Sequence, residues 1–397
     1  MTTRHIFISL LIVFCSLSVP ATSFAVPQYV VDVDMDFAVS RDIREYFDKE
    51  DFTALEEIAK DLRDNDRRFL NGSPLLAAYY EAFSMAPDTN ADYEKDEGYK
   101  RSLDLLAKWK LAYPDSVTQR VAEACVWLDY AWLARGSGYA DTVDEKGWVL
   151  FDKRVQKAYD LLKDAPADGA EDCPQRYASL LTVGMAQGWG KRRYDTVFDE
   201  AVSYYPGYFP IYGSKAIYLL PRWHGEPGDW QAFADEAAAL APDEDSTTAY
   251  TRVLMSTHSY GEWERFEEAG VSWPKMKQGF QDMARQYPDS AWNLNRFAYF
   301  AVLAKDRETA AMLVGRIGDK PIMRIWKKRA YYESCRTALS TGKDIPEPKR
   351  NDRRHSNPTG VGDTESLSAL AKYITLLAGL VTVPGTVALV LLVGLIF

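Results

Sequence analysis

The sequence AYPDS at residues 112–116 returns as QYPDS at residues 286–290, and weaker copies stand at residues 204–208 and 240–244. The residues eight and five positions before the proline are apolar in all four copies: Leu106, Trp109, Phe198, Ala201, Ala234, Ala237, Phe280 and Met283. Apolar residues at this spacing lie on one face of a helix. The pattern therefore predicts an amphipathic helix that ends at each proline, followed by a second helix with Asp or Ser as its N-cap.

The distances between the prolines indicate a repeat. Pro174 and Pro206 are 32 residues apart, and Pro206 and Pro242 are 36 residues apart. Pro242 and Pro288 are separated by 46 residues, which fits one repeat with an insertion at residues 270–275. Tetratricopeptide (TPR) repeats, which are helical hairpins, recur every ~34 residues. We therefore predict an all-α fold in which degenerate TPR-like helical hairpins form a curved solenoid, although the full TPR consensus is not met.

The start of the chain has the three parts of an export signal. Arg4 precedes an apolar run at residues 6–19, and Ser23 and Ala25 place small residues before a cleavage point. This arrangement predicts a cleaved signal peptide at residues 1–25. A permanent anchor is the alternative, although the apolar run is short for a membrane span.

The end of the chain is strongly apolar. Residues 373–397 carry no charge, and as a helix they would be ~37 Å long, against ~30 Å for a bilayer core. We therefore predict a transmembrane anchor at residues 367–397, with a sorting tail that is processed after anchoring as the alternative. Residues 346–366 are rich in Pro, Gly, Ser, Asn and charge, which predicts a flexible linker. The helical-repeat domain would then span residues 26–345.

Together the two ends predict an exported protein of the bacterial cell envelope. Its body would lie on the periplasmic or extracytoplasmic side, and its C-terminal helix would hold it to a membrane. The chain contains 57 acidic and 47 basic residues, a net charge of −10. Because binding to phosphate groups requires clustered Lys and Arg, this balance argues against nucleic acid as a partner.

Three cysteines follow the predicted signal peptide, and none belongs to a Cys-x-x-Cys motif. In an oxidising compartment Cys125 and Cys173, the closer pair in sequence, are the candidate disulfide. Three buried thiols, with Cys335 as the third, are the alternative. The histidines have no partner at metal-ligand spacing, and residues 32–36 lack the glycine and glutamate of a calcium loop. We therefore predict no metal, no cofactor and no catalytic group.

Residues 219–233, LLPRWHGEPGDWQAF, combine charged, aromatic and turn-forming residues. Pro221 would end the apolar helical stretch before it. Residues 225–228 supply the glycines and proline of a turn, and Asp229 is placed to cap a helix that begins at Trp230. The stretch therefore predicts a corner between two helices.

The same stretch allows a structural and a functional interpretation. In a corner, Trp223 packs between the two helices, and Arg222 stacks on a ring or pairs with an acid such as Glu226. In a binding site, Arg222, Trp223 and His224 form a rim for an anionic or aromatic ligand. No nucleophile adjoins His224, so catalysis is not predicted.

Two elements carry a family resemblance: ARGSGYADTV at residues 134–143 and LLPRWHGEPGDWQAFA at residues 219–234. They resemble an uncharacterised bacterial family of exported TPR-like proteins, over residues 51–240. The resemblance implies the same helical fold and no activity, because the family has none established. It also raises the first element, with Arg135 and Tyr139, as a candidate binding loop, whereas a helix C-cap and a turn are the alternative.

The repeat pattern favours binding over catalysis. Stacked helical hairpins present extended concave surfaces, so we predict an adaptor or scaffold that binds a protein or peptide partner. Tyr208 and Tyr212 would lie at the surface of that groove. The alternative is an envelope hydrolase that uses carboxylates such as Glu226 and Asp229. A stalked spacer without a ligand is a third hypothesis.

Overall fold

The computed structural model describes residues 35–84, 97–136, 140–164, 173–263 and 265–348. These residues form seventeen α-helices and no strand. The helices are α1 Met35–Asp48, α2 Phe52–Asp64, α3 Leu75–Glu81, α4 Glu97–Ala112, α5 Val117–Arg135, α6 Glu145–Leu162, α7 Pro174–Ala186, α8 Lys191–Tyr204, α9 Phe209–Tyr218, α10 Asp229–Leu240, α11 Ser246–Ser259, α12 Phe266–Ala269, α13 Trp273–Gln286, α14 Ala291–Leu303, α15 Arg307–Ile317, α16 Met323–Trp326 and α17 Arg329–Thr341. The predicted all-α class is confirmed in this part of the chain.

The two YPDS elements begin helices as their sequence predicts. Ser116 Oγ accepts a hydrogen bond from the backbone N–H of Gln119 at 2.9 Å, and this caps α5. Ser290 Oγ accepts one from the backbone N–H of Asn293 at 3.0 Å, and this caps α14. Each serine satisfies a backbone donor that has no partner within its own helix. The local sequence therefore sets where these two helices start.

The helices differ in how they are buried. Every residue of α9 is buried, as is every residue of α7 except the last. In contrast, α4, α8 and α13 bury one face only, for example Phe198 and Ala201 of α8. A helix that is buried on all its faces lies in the interior, whereas a helix that buries one face lies at the surface. Because α7 packs on α5 and α9, and α9 packs on α11, these helices form the centre of the structure.

The loop between α2 and α3, residues 65–74, joins distant parts of the chain. The backbone carbonyl of Asn71 accepts hydrogen bonds from Arg252 of α11 and Asn293 of α14, both at 3.2 Å. These bonds connect residues that are 181 and 222 positions apart. A linear stack of repeats brings together neighbouring units only. The Asn71 loop therefore adds a long-range constraint that a simple repeat array lacks.

The predicted signal peptide, residues 1–25, and the predicted anchor, residues 367–397, lie outside the described residues. In the ranges that the structure covers, no helix combines the length and the apolar composition needed to cross a membrane. The start of the predicted linker contacts the helical body. There Glu347 forms ion pairs with Arg265 and with Lys305, the latter at 3.7 Å.

Two helical glycines test how tightly the helices pack. A Cβ at Gly279 of α13 would overlap Thr251 Oγ1 and the carbonyl oxygen of Thr247, both on α11. We predict that Gly279→Ala lowers the free energy of unfolding by roughly 1–3 kcal/mol, because overpacking pushes the helices apart. Gly315→Ala in α15 is the matched control, since its Cβ would meet nothing within 4 Å. It should raise stability by up to ~1 kcal/mol through helix propensity. Urea unfolding measures both, and equal effects would contradict the packing.

Candidate functional site

The connection between α9 and α10 is a tight turn. The backbone N–H of His224 donates to the carbonyl of Tyr218 at 3.1 Å, and that of Gly225 donates to Leu220 at 3.3 Å. A Cβ at Gly225 would overlap the backbone of Leu219, so only glycine fits. The stretch is thus a corner between two helices.

Asp229 has a different role from the predicted cap. α10 begins at Asp229, one residue earlier than expected, and Gly228 before it has φ +101°. Asp229 Oδ2 accepts a hydrogen bond from the backbone N–H of Glu226 at 2.9 Å. The carboxylate therefore closes the turn that leads into the helix, and the expected helix cap is wrong.

Trp223 and Arg135 meet in one cluster, which we call the tryptophan–arginine cluster: Trp132, Arg135, Trp148 and Trp223. The ring centroids of Trp223 and Trp132 are 5.7 Å apart. The Arg135 guanidinium lies 5.3 Å from the Trp223 ring and 5.7 Å from the rings of Trp132 and Trp148. This is a cation–π arrangement with three indole rings. It joins the two sequence elements that carry the family resemblance.

The Arg135 side chain is enclosed within this cluster. The side chain is 9% exposed, and this burial lowers its pKa. Its Nη1 donates to the carbonyl of Gly136 at 3.2 Å. The guanidinium is therefore covered by protein groups rather than presented to a ligand. Tyr139, the other candidate of this element, lies outside the described residues.

Arg222 and His224 each have a partner within the protein. Arg222 pairs with Glu262 at 3.4 Å and lies 5.3 Å above the Tyr260 ring. The contact with the Tyr260 ring agrees with the expected stacking, whereas Glu262 is not one of the acids nearby in sequence that we expected. The ring of His224 contacts the carbonyl oxygen of Met185 through Nε2 at 2.8 Å. Both side chains remain exposed at the corner, but their contacts are those of a packed turn.

The prediction that Tyr208 and Tyr212 line an open groove is wrong. Both rings are buried, and burial raises the pKa of both hydroxyls. Tyr208 donates to Gln175 Oε1 at 2.7 Å, and Tyr212 donates to the carbonyl of Pro206 at 2.8 Å. α9 is enclosed by its neighbours, so its tyrosines supply core packing and internal hydrogen bonds instead of a surface.

The candidate disulfide is not formed. Cys125 and Cys173 are free thiols in the structure, as is Cys335. Cys125 Sγ lies 3.3 Å from Ser179 Oγ, and Cys173 Sγ lies 3.4 Å from the Tyr80 hydroxyl. Each sulfur is thus packed against a hydroxyl group.

An open groove lies elsewhere, with α13 and α15 as its walls and α14 as its floor. We call it the α13–α15 groove. Its volume is about 630 Å³. Leu294 and Phe297 of α14 and Leu313 of α15 give it apolar surface. Met312 of α15 also lines it and is 58% exposed. The groove is therefore open and partly apolar, which makes it a candidate binding surface.

The two walls of the groove begin close together. Asp306, the N-cap of α15, contacts two residues of α13: Lys277 Nζ at 2.8 Å and Trp273 Nε1 at 3.0 Å. Burial favours the neutral acid, but hydrogen bonds from Lys277, Trp273 and Thr309 outweigh it and lower the pKa of Asp306 to about 2. The Asp306 carboxylate therefore stays charged and fixes the start of α15 to the start of α13.

The sequence contains a signal for this groove that motif-based reasoning missed. Glu308, Met312 and Arg316 recur at four-residue spacing in α15, so they share one exposed stripe of that helix. On α13, the same four-residue spacing places Lys277, Gln281 and Arg285 on one face of the helix. A methionine in the middle of an otherwise charged stripe departs from the usual pattern of a solvated helix face.

A small polar cavity lies among α3, α5 and α7. Its volume is about 40 Å³, and Glu81, Cys125, Asp129 and Ser179 line it. Asp129 accepts a hydrogen bond from Ser84. Burial raises the pKa of Asp129 to about 7 and that of the Cys125 thiol to about 12, which makes the thiol a poor nucleophile. Within the described ranges, no group of three or more His, Cys, Asp or Glu could hold a metal ion.

Comparison with known protein families finds a match over part of the chain. A family model for a domain of unknown function, DUF4034, matches residues 39–159. The chain is therefore similar to this uncharacterised family from within α1 to within α6. This range includes Arg135 and Trp148 but not Trp223 or the α13–α15 groove. No curated protein and no solved structure matches the chain significantly. The match is consistent with an uncharacterised family and names no activity.

Two substitutions separate packing from exposed contacts at the corner. We predict that Trp223→Ala lowers the free energy of unfolding by roughly 2–3 kcal/mol, because the indole packs on Trp132 and Arg135. Arg222→Ala should lower it by less than ~1 kcal/mol, because the Arg222 side chain is 38% exposed and solvent screens its ion pair with Glu262. Urea unfolding followed by circular dichroism measures both. Equal losses would show that the corner does not depend on the tryptophan.

The Asp129 carboxyl group gives stability a pH dependence. Folding raises its pKa from 3.8 to about 7, so the folded chain holds a proton that the unfolded chain has lost. The free energy of unfolding therefore falls as the pH rises from 3.8 to about 7. Asp129→Asn should be more stable than the parent protein at pH 8, by roughly 2 kcal/mol after allowance for partial exposure, and not at pH 4. Asp104→Asn, at an exposed site on α4, is the control. A gain that is the same at both pH values would refute this account.

Proposed function

We propose that this protein is an exported, membrane-tethered adaptor that binds a segment of another protein in the α13–α15 groove. The observation that carries the proposal is the groove itself, about 630 Å³ in volume, with Met312 exposed at its wall. Ligand sites commonly measure ~300–1,000 Å³ and combine apolar surface with a few polar groups. The α13–α15 groove has this size and this composition.

The chemistry of the groove favours binding over hydrolysis. Glu308 is the one carboxylate among the residues that line it in the described structure. Hydrolysis of glycosidic bonds commonly requires two carboxylates on either side of the reacting bond. At the α9–α10 corner, Asp229 closes a turn through Glu226. We therefore favour the adaptor over the envelope hydrolase.

The helical pairs support the adaptor interpretation. α4 and α5 are joined through a YPDS element with a serine cap, and so are α13 and α14. We propose that these pairs are degenerate TPR-like hairpins and that the groove forms where one hairpin meets the next. The binding surface then lies on helices that bury one face, instead of on the enclosed α9.

The two ends of the sequence support the proposed export and membrane anchoring. Residues 1–25 have the pattern of an export signal, and residues 373–397 are an uncharged apolar stretch long enough to cross a bilayer. We propose that the body lies on the extracytoplasmic side. The predicted linker starts beside the groove, because Glu347 pairs with Lys305, which directly precedes Asp306 at the start of α15.

Photo-cross-linking of the full-length chain in intact cells tests this proposal. A benzophenone amino acid at position 312 should give one dominant protein adduct in the membrane fraction. Position 149 is the control, because Val149 is 60% exposed on α6 but lies outside the groove. Deletion of residues 367–397 should release the adduct from the membrane fraction. The same adducts from positions 312 and 149 would refute a binding groove, and an adduct that stays with the membrane after the deletion would refute the tether.

A further inference from the structure

We infer that the α13–α15 groove takes an amphipathic helix of a partner protein, which runs opposite to α13 and α15, with acidic residues in its first turn and a basic residue in its last turn. This inference rests on the proposed function and specifies the partner. It follows from the direction of the two walls, from the charges at the two ends of the groove and from the backbone of the occupant.

The two walls run in the same direction. Residues 287–290 connect α13 to α14, and residues 304–306 connect α14 to α15. Such short connections join helices that run in opposite directions. Two reversals make α13 and α15 parallel. The contact between Lys277, near the start of α13, and Asp306, at the start of α15, agrees with this direction.

The charges at the two ends of the groove differ. At the end of the groove where α13 and α15 begin, Lys277 is paired with Asp306. Among the described residues, Glu308 is therefore the unpaired charged residue that lines this end. At the other end, Arg285 and Arg316 occupy the last turns of α13 and α15. Arg285 pairs with Asp282 of its own helix, whose side chain is only 14% exposed, and this pair offsets much of the Arg285 charge. Arg316 forms no ion pair with any residue that the structure describes. The groove is therefore acidic at one end and basic at the other.

A partner helix complements these charges in one direction only. Acidic side chains stabilise the first turn of a helix, and basic side chains stabilise its last turn. A helix that runs opposite to α13 and α15 places its acidic start beside Arg285 and Arg316. Its basic end then lies beside Glu308. A helix in the other direction would place like charges together or give up its own favourable end charges.

The backbone of the occupant also favours a helix. The walls are helices, so their backbone N–H and C=O groups are already paired within themselves. The amide of Asn293, which lines the groove, is already bonded to Asn71. An extended segment would therefore leave backbone groups without partners against Leu294 and Phe297. A helix satisfies its own backbone and can present apolar residues every three or four positions to Met312. The 11 residues of α15 are ~16 Å long, which corresponds to about three turns.

Two synthetic peptides of the same composition test this inference. Both carry leucines at positions 4, 8 and 11 of 14 residues; one has Glu in its first turn and Lys in its last turn, and the other has these charges exchanged. Binding is measured by fluorescence anisotropy to the full-length chain in nanodiscs of zwitterionic lipid, with empty nanodiscs subtracted. We expect the Glu-first peptide to bind at least tenfold more tightly. Arg316→Glu should abolish this preference, whereas Arg192→Glu, at an exposed site on α8 outside the groove, should keep it.

Each outcome has a distinct meaning. A tenfold preference that Arg316→Glu removes supports the directed helix. Equal affinity for the two peptides overturns the inference but leaves a binding groove. Binding of neither peptide, together with a dominant cross-link from position 312, also overturns it, because the occupant is then not such a helix. Loss of both peptide binding and the position-312 cross-link refutes the proposed function as well. A benzophenone on the peptide N-terminus, mapped by mass spectrometry, should label the Arg316 end rather than the Glu308 end.

Discussion

The backbone carbonyl of Asn71 links the loop between α2 and α3 to the second half of the chain. It accepts hydrogen bonds from Arg252 and Asn293, on helices far away in sequence. Arg252 also lies 4.7 Å from the Phe209 ring, and Arg68 of the same loop lies 5.9 Å from it. Burial lowers the pKa of Arg252 to about 10, so the guanidinium is still charged near neutral pH, although its Nε has no hydrogen-bond partner among the described residues. The loop thus contacts α9, α11 and α14 and constrains their mutual positions.

This constraint explains where a binding surface can exist. Because the central helices α7 and α9 are enclosed, their many tyrosines serve as core residues. A protein rich in aromatic residues thus leaves few of them for recognition. Tyr194 and Tyr218, for example, stack at 3.7 Å between ring centroids deep in the core. The open surface of the described helices is left to those that bury one face, and α13 and α15 are a pair of these with a groove between them.

The sequence predicts local features well and long-range features poorly. The serine caps at Ser116 and Ser290 follow from a few neighbouring residues, so motif and geometry agree. The α9–α10 corner follows from Pro221 and its glycines for the same reason. By contrast, the contact between Arg135 and Trp223 depends on the packing of α5 beside that corner, which no local pattern encodes. The burial of Tyr208 had the same cause, since helical periodicity cannot show how many neighbours a helix has. The groove was predictable only in part, from the four-residue spacing of charges around Met312.

The ion pair between Glu347 and Lys305 has a consequence for affinity. On the proposed anchoring, the linker leaves the body beside the start of α15, so the groove would stay close to the point of attachment. The 18 residues from 349 to 366 would span roughly 20–25 Å as a random coil. A partner in the same membrane would then meet the groove more often than a partner free in solution, because both are confined to one surface. A helix that binds only weakly in solution would therefore occupy a larger share of the grooves at the membrane.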